Sequence, residues 1–287
     1  MKKVVSISLG SPAGDFCWQG RIGDEFLQVE RRGAGGDIQR AAAWLRELDG
    51  QVTALALGGV NLAYQLPGRS WPLPEGQFLA RQVRQTPLYD GSDFKASWDQ
   101  QLILSQAEKW RGSRVLLASA LDRPWLAQAL LTSGADLWLG DAWLALGLPL
   151  LFPGLKGFQV LARLTMPGLR RLPLRYLYPQ RQQQEGQRRW RPLGPRTFDW
   201  LAGDSHLLQK GAGHWPQARI LASTVRPRDL TPFAGRLYYL YPCLAPGLSP
   251  GANLWEAIAS ALSMDGIGFW QKYHSFAGKC LGEGKLC

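Results

Sequence analysis

The chain has 287 residues, which is enough for one large or two medium α/β domains. Hydrophobic residues make up 46% of it and charged residues 19%, a composition that excludes a disordered chain. The net charge of +11 is concentrated between Arg163 and Arg196, a segment that contains nine arginines and one acid, Glu185. The excess of positive charge is therefore local and not a property of the whole fold.

The first part of the chain contains apolar runs that end in loops of glycine and polar residues, a pattern typical of parallel strands. A helix is predicted over Ile38–Leu48, because Asp37 is placed as its N-cap and apolar residues recur at helical spacing. We therefore expect an N-terminal α/β domain at residues 1–108. Its predicted strands are residues 3–9, 52–57 and 86–89.

The stretch from Arg114 to Asp141 has the order strand, loop, helix, strand that defines a parallel βαβ unit. Ser133 and Gly134 end the predicted helix. Ligands of parallel sheets bind outside the carboxyl ends of the strands, so residues 119–123 and Asp141 are expected to face one crevice. The unit predicts a Rossmann-like domain at residues 109–287.

Residues 119–124 (SALDRP) stand where a dinucleotide-binding loop would lie, but they contain no glycine of a GxGxxG motif. Asp122 would repel a phosphate, whereas Arg123 and the following helix N-terminus would attract one. Asp141 lies where an acid commonly binds a ribose hydroxyl. The alternative is that Asp122 caps the helix and Asp141 is a turn acid. The candidate cofactor-binding residues are Ser119, Asp122, Arg123 and Asp141.

A second polar cluster follows the strand at residues 86–89. Lys95 and Asp90 would form an acid/base pair if the lysine is desolvated, and Asn61 and Ser92 would bind substrate hydroxyls. The alternative is an ordinary turn with a solvated lysine, since one lysine and one aspartate in a loop are common.

The remainder of the second domain continues the alternation of strands and helices. A strand ends at Asp204 after Gly203, as another ends at Asp141 after Gly140. Asn253 is predicted as an N-cap, with Glu256 as its partner in a capping box, and the last 25 residues are expected to cover or trail from the sheet. The other predicted elements are strands at 198–201, 219–223 and 237–241, helices at 157–164 and 254–262, and a helix at 142–151 that is broken at Gly147 and Pro149.

The cysteines include no CxxC pair, and with only three histidines in the chain we predict no metal site. Reduced thiols in a cytoplasmic protein are expected. The short apolar run after Met1 predicts a strand rather than a signal peptide. No run of about 20 uncharged apolar residues is present, so we expect no membrane partner. The cysteines are Cys17, Cys243, Cys280 and Cys287.

Residues 165–196 form a basic segment whose polar part, residues 180–195, is of low complexity. Tyr178 and Trp190 are interleaved with its arginines, so the segment could bind a nucleic acid through phosphate contacts and base stacking. It could also hold a phosphorylated small molecule or an acidic partner. Because no nucleic-acid-binding motif accompanies it, the favoured interpretation is a solvated, mobile loop.

Much of the chain, taken in order, resembles a family of bacterial proteins labelled quinate or shikimate 5-dehydrogenase-like. The segments that carry the resemblance are KVVSISLGS near the start, DGQVTALALGGVNL at 49–62, TPLYDGSDFK at 86–95, RVLLASALDRPWLAQAL at 114–130, LWLGDAWLALGLP at 137–149, LAGDSHLL at 201–208 and GANLWEAI at 251–258.

The resemblance implies two Rossmann-like halves with mostly parallel sheets and a cleft between them. It further implies an NAD(P)-dependent oxidoreductase acting on a polyhydroxy carboxylic acid, with Lys95 and Asp90 moving a proton. NAD is favoured over NADP if Asp141 contacts the ribose. The chain departs from shikimate dehydrogenases in its glycine-free loop and in lacking their Asn-Val-Thr-type substrate motif. The alternative is therefore a non-catalytic, Rossmann-like ligand-binding or regulatory protein that has lost the dinucleotide site.

Overall fold

The computed structural model describes residues 1–170, 191–227, 230–277, 279–281 and 283–286. The chain forms two compact units. The first comprises Met1–Ala63, Pro72–Trp98 and Tyr241–Cys287, and the second comprises Tyr64–Trp71 and Asp99–Leu240. The predicted single boundary after residue 108 differs from this division, because the chain returns to the first unit at Tyr241. Most of the basic segment, including Tyr178 and Trp190, lies outside the described residues.

The strands follow the predicted alternation of apolar runs and loops. In chain order they are β1 (Lys2–Ser8), β2 (Phe16–Ile22), β3 (Glu25–Gly33), β4 (Ala54–Gly58), β5 (Ala63–Leu66), β6 (Arg69–Pro72), β7 (Leu88–Tyr89), β8 (Arg114–Leu117), β9 (Asp136–Leu139), β10 (Phe152–Pro153), β11 (Trp200–Asp204), β12 (Arg219–Ser223), β13 (Leu237–Tyr239) and β14 (Glu283–Leu286).

The helices connect these strands, and two of the connections contain a π-helix, at Lys95–Asp99 and at Asp141–Ala145. Such turns are rare and are often found at functional sites. The α-helices are α1 (Ile38–Leu48), α2 (Pro74–Ala80), α3 (Ser92–Phe94), α4 (Gln100–Leu104), α5 (Ala107–Trp110), α6 (Pro124–Thr132), α7 (Leu155–Leu169), α8 (Ser205–Gly211), α9 (Ala252–Ala261) and α10 (Gly266–Tyr273).

The sheet of the first unit has the strand order β14-β2-β3-β1-β4-β7. Strand β1 is parallel to β3 and β4, and β4 is parallel to β7, whereas β2 forms an antiparallel hairpin with β3. The prediction for helix α1 is confirmed, since the carboxylate of Asp37 accepts from the backbone N–H groups of Gln39 and Arg40. The last 25 residues, expected to cover or trail from the sheet, include α10 and the strand β14, which joins the sheet at its edge.

The sheet of the second unit has the order β10-β9-β8-β11-β12-β13, and it is parallel except for the edge strand β10. The predicted βαβ unit is confirmed as β8, α6 and β9, with Val115 opposite Leu137. The chain is thus an α/β protein of two Rossmann-like halves with mostly parallel sheets. The predicted cleft between them stays a prediction.

Other predicted elements differ from those observed. The stretch at 142–151, predicted as a helix broken at Gly147 and Pro149, contains a π-helix over Asp141–Ala145, and Gly147 follows it with φ 75°. The helix expected at 157–164 is longer and spans Leu155–Leu169. No helix in the described ranges is both long and apolar enough to cross a bilayer. Cys17 is disulfide-bonded, so the expectation of reduced thiols is wrong for this residue, whereas Cys243 and Cys280 are free.

Candidate functional site

The carboxyl ends of the parallel strands in the second unit gather a set of polar side chains. Parallel strands end at the same edge of a sheet, so residues that are distant in sequence become neighbours there. We call this set the carboxyl-edge cluster. It consists of Ser119, Asp122 and Arg123 after β8, Asp141 after β9, Asp204 at the end of β11, and Ser223 and Thr224 at the end of β12, together with Asp99.

Asp141 holds the loop between β8 and α6 in place. One carboxylate oxygen accepts from the Ser119 hydroxyl at 2.8 Å and from the Leu121 N–H at 3.1 Å, and the other accepts from the Ala120 N–H at 2.9 Å. Burial raises the pKa of Asp141 to about 6, and these hydrogen bonds oppose the rise. Asp141 lies at the strand end that the sequence predicted, and there it binds backbone N–H groups of the protein itself.

This arrangement does not fit the pyrophosphate of a dinucleotide. A dinucleotide loop presents free backbone N–H groups and glycines to the phosphates. Here the N–H groups of Ala120 and Leu121 are directed at Asp141, whose negative charge occupies the position that an anion would take. Contact of Asp141 with a ribose, and with it the preference for NAD, stays a prediction.

Arg123 is the buried centre of the cluster, with a side chain only 2% exposed. It donates to Asp99 at 2.7 Å and to the Ser223 hydroxyl at 2.5 Å, and it lies 3.7 Å from Asp204 and from Asp122. Asp99 is fully buried, so the guanidinium is its counterion. The arginine predicted to bind phosphate is instead committed to carboxylates inside the unit.

Asp204 and its hydroxyl neighbours are the part of the cluster that sequence reasoning left unassigned. One oxygen of Asp204 accepts from Ser223 at 2.6 Å and from Thr224 at 2.7 Å, while the side chain stays 23% exposed. Burial alone would raise the pKa of Asp204, but the charges of Arg123 and His206 and the hydrogen bond from Ser223 together outweigh burial, and the pKa is lowered. The repeated Gly-Asp at 140–141 and 203–204 was the sequence signal.

Thr224 has φ 56°, in the left-handed region that residues with a branched side chain seldom occupy. A threonine held in this conformation stores strain of about 1 to 3 kcal/mol, and such residues cluster at functional sites. Its hydroxyl bond to Asp204 helps to hold the conformation. The backbone strain and the polar side chains therefore occur at the same end of β12.

The first unit has its own cluster of polar residues at the end of β7. The buried carboxylate of Asp90 accepts from the Leu62 N–H at 2.8 Å and from the Ser92 N–H at 3.0 Å. Lys95 follows one helical turn later and is 8% exposed, which excludes a solvated lysine, and Asn61 adjoins Leu62. The structure thus brings Asp90, Ser92 and Asn61 to one loop region with a buried lysine. Their catalytic and substrate roles stay predictions.

Glu256 belongs to this cluster, although sequence assigned it to a capping box. Helix α9 begins at Ala252 with Gly251 as its N-cap, and the side chain of Asn253 donates to the Ser6 hydroxyl at 3.0 Å. The cap prediction is therefore wrong. Burial, and then the charges of Asp90 and Asp93, raise the pKa of Glu256 to about 8. One of its carboxyl oxygens is buried with no hydrogen-bond partner in the described structure.

Gly91 allows α9 to approach the end of β7 closely. It has φ 90°, and a Cβ at this position would lie 2.5 Å from the backbone nitrogen of Asn253. Gly91→Ala should therefore lower the free energy of unfolding by about 2 kcal/mol or more, since left-handed strain and overpacking each cost about 1 to 2 kcal/mol. Gly112 also has positive φ, but a Cβ there would meet no neighbour, so Gly112→Ala measures the backbone strain alone. The difference between the two variants is the packing part of the cost. Equal losses in urea denaturation would contradict the close approach.

Comparison with known proteins assigns the chain to a family. A model described as "Domain of unknown function (DUF8754)" matches residues 98–267, more than half of the chain. The chain belongs to this family. A second model, "Domain of unknown function (DUF8753)", matches residues 3–90. The DUF8754 match begins within one residue of Asp99, the start of the long segment of the second unit.

The solved structures that resemble this DUF8754 member do so weakly, and no curated protein matches it. An ABC transporter solute-binding protein from Burkholderia multivorans, with an unknown ligand, has TM-score 0.37 and 11% identity over 100% of this chain and 99% of that one. Aspartate transcarbamoylase from Trypanosoma cruzi with phosphate has TM-score 0.33 and 11% identity, over 84% and 73%. Likenesses of this size carry no functional argument.

Proposed function

We propose that the protein is a non-redox, Rossmann-like ligand-binding protein whose site is the carboxyl-edge cluster of the second unit. The observation that carries the proposal is the engagement of Asp141 with Ser119, Ala120 and Leu121. This contact occupies the backbone N–H groups that the phosphates of a dinucleotide would require. The cluster still lies at the carboxyl ends of the strands, where ligands of parallel sheets bind.

The charges of the cluster indicate the class of ligand. The acids outnumber the one arginine, and Arg123 is already paired with Asp99. A phosphate would be repelled, whereas a ligand that donates hydrogen bonds would find acceptors in Asp204 and Asp122, which are 23% and 15% exposed. The proposed ligand is therefore a small polyol or an amine, bound through its hydroxyl or ammonium donors.

The dehydrogenase interpretation is the second candidate function. The observation that favours it is the burial of Lys95 and Asp90 at the end of β7, beside Glu256. A buried lysine in the same loop region as a buried aspartate suits proton transfer with a hydroxyl of a polyhydroxy carboxylic acid. Its weak point is the cofactor, NAD or NADP, because the N–H groups of Ala120 and Leu121 in the expected phosphate-binding loop are already directed at Asp141.

Calorimetric titration of the full chain with NADH, NADPH, and a panel of polyols, sugars and amines tests both candidates. We expect no heat of binding from either nucleotide and binding of at least one donor-rich compound. Asp204→Asn should weaken that binding about tenfold, the effect of losing one charge-assisted hydrogen bond of about 1.4 kcal/mol. Asp136→Asn, an acid at the opposite end of the same sheet, is the matched control. Micromolar binding of NADH would overturn the proposal and restore the dehydrogenase.

A further inference from the structure

Helix α7 has two apolar faces. The inner face, formed by Leu155, Phe158, Ala162 and Met166, is buried in the second unit. The outer face carries Val160, Leu161 and Leu164, which are 59%, 39% and 76% exposed. A helix that is apolar on both sides is normally covered on both, by protein or by lipid.

The chain on either side of β10 also exposes leucines, at positions 146, 148, 150 and 193. The ring of Phe152 lies 5.8 Å from that of Phe158, so β10 contacts the inner face of α7. We call the outer face of α7 alone, formed by Val160, Leu161 and Leu164, the outer leucine patch.

Large apolar side chains exposed together on one face of a helix are uncommon and mark an interaction surface. The described chain around the patch is also basic. Residues 142–170 and 191–198 contain five lysines and arginines and no acid. The basic residues that the structure describes here are Lys156, Arg163, Arg170, Arg191 and Arg196. The occupant of the patch is therefore both apolar and anionic.

These properties separate the candidate occupants. A second copy docked through a two-fold axis would place arginines against arginines, which disfavours association. A nucleic acid would use the arginines but would leave the leucines exposed, because its contacts are mostly to phosphates and sugars. An anionic bilayer accounts for both the basic and the apolar side chains. Arginines attract its headgroups, and leucines enter the boundary between the headgroups and the acyl chains.

We propose that the outer leucine patch docks on the surface of an anionic lipid bilayer. The outer face of α7 would lie in the plane of the membrane, with Leu161 and Leu164 inserted and Lys156 and Arg163 at headgroup level. This is peripheral contact and needs no membrane-spanning helix. It departs from the sequence-based expectation of no membrane partner, which rested on spanning segments alone.

Sedimentation with lipid vesicles tests the proposal. The full chain should bind vesicles of phosphatidylcholine mixed with phosphatidylglycerol and should not bind phosphatidylcholine alone, and raising the salt concentration should weaken the binding. The double variant Leu161→Glu/Leu164→Glu should bind at least about tenfold more weakly. It lacks the two leucines that would insert into the bilayer, and its two added carboxylates are repelled by the anionic surface. Ile267→Glu changes an isoleucine that is 54% exposed on α10 and should bind like the wild type.

A second variant, Lys156→Gln/Arg163→Gln, removes charge without adding any, and it should lower both the affinity and its dependence on salt. The proposal is overturned if the wild type does not bind the anionic vesicles, or if the leucine variant binds them as tightly as the wild type does. It is also overturned if light scattering shows a wild-type dimer that the leucine variant converts to a monomer, since the patch would then be a self-interface.

Discussion

Replacing Arg123 with methionine should lower the free energy of unfolding by about 3 to 5 kcal/mol, the usual cost of removing one partner of a buried ion pair. The reason is Asp99, which is fully buried and lies 2.7 Å from the guanidinium. Methionine fills much of the volume but leaves the carboxylate without its counterion. Urea denaturation of the purified variant at neutral pH measures the loss.

The matched control is Arg114→Met. Arg114 also pairs with an acid at 2.7 Å, but its side chain and that of Asp136 are 41% and 45% exposed, so the loss should stay below about 1 kcal/mol. The double variant Arg123→Met/Asp99→Leu should recover much of the stability, because an apolar pair often replaces a buried ion pair without cost. A loss for Arg123→Met no larger than that for Arg114→Met would refute the assignment of Arg123 as the counterion.

The stability of the protein should fall as the pH rises from 6 to 8.5, and Glu256 should be the main cause. Its pKa is raised from an ordinary 4.5 to about 8 in the folded state. Between these values the folded protein keeps a proton that the unfolded chain releases, so the free energy of unfolding declines by about 1.4 kcal/mol per pH unit. Asp141 causes a similar loss of stability, but its pKa is about 6 in the folded state, so most of that loss occurs below pH 6 and outside the measured range.

Glu256→Gln removes the titration and keeps the shape of the protonated side chain. At pH 6 the variant should already be more stable than the wild type by about 2 kcal/mol, because the unfolded Glu256 is ionised there, and at pH 8.5 the difference should reach about 4 to 5 kcal/mol. Denaturant unfolding at several pH values provides the measurement. Glu108→Gln, an exposed acid in the second unit, should leave the decline unchanged. Parallel curves for the wild type and Glu256→Gln would show that the carboxyl is not responsible.

Sequence predicted the architecture well wherever the signal was local. The βαβ unit from β8 to β9 and the Asp37 cap of α1 follow from apolar spacing, from Ser133-Gly134 as a stop, and from one capping side chain. The return of the chain to the first unit was missed, because it depends on which sheet accepts α9. Periodicity shows that a helix is amphipathic, but it does not identify the surface that the helix covers.

The candidate site was predicted in its location and not in its interactions. Sequence placed Ser119, Arg123 and Asp141 at one edge, and the structure gathers them there. The partners of Arg123 are 24 residues earlier, at Asp99, and 100 residues later, at Ser223. No local pattern encodes such distances. Sequence therefore predicted that Arg123 binds a ligand, whereas in the structure Arg123 neutralises the buried Asp99.

The return of the chain at Tyr241 also determines the order in which the protein is built on the ribosome. Strands β1 and β4 emerge early, but α9, which packs against both of them, is synthesised only after all of the second unit. Domains generally fold as units as they emerge from the ribosome, so the second unit can be complete while one face of the first sheet is still uncovered. The unit that begins first is finished last, and the apolar face that α9 covers stays open throughout that interval.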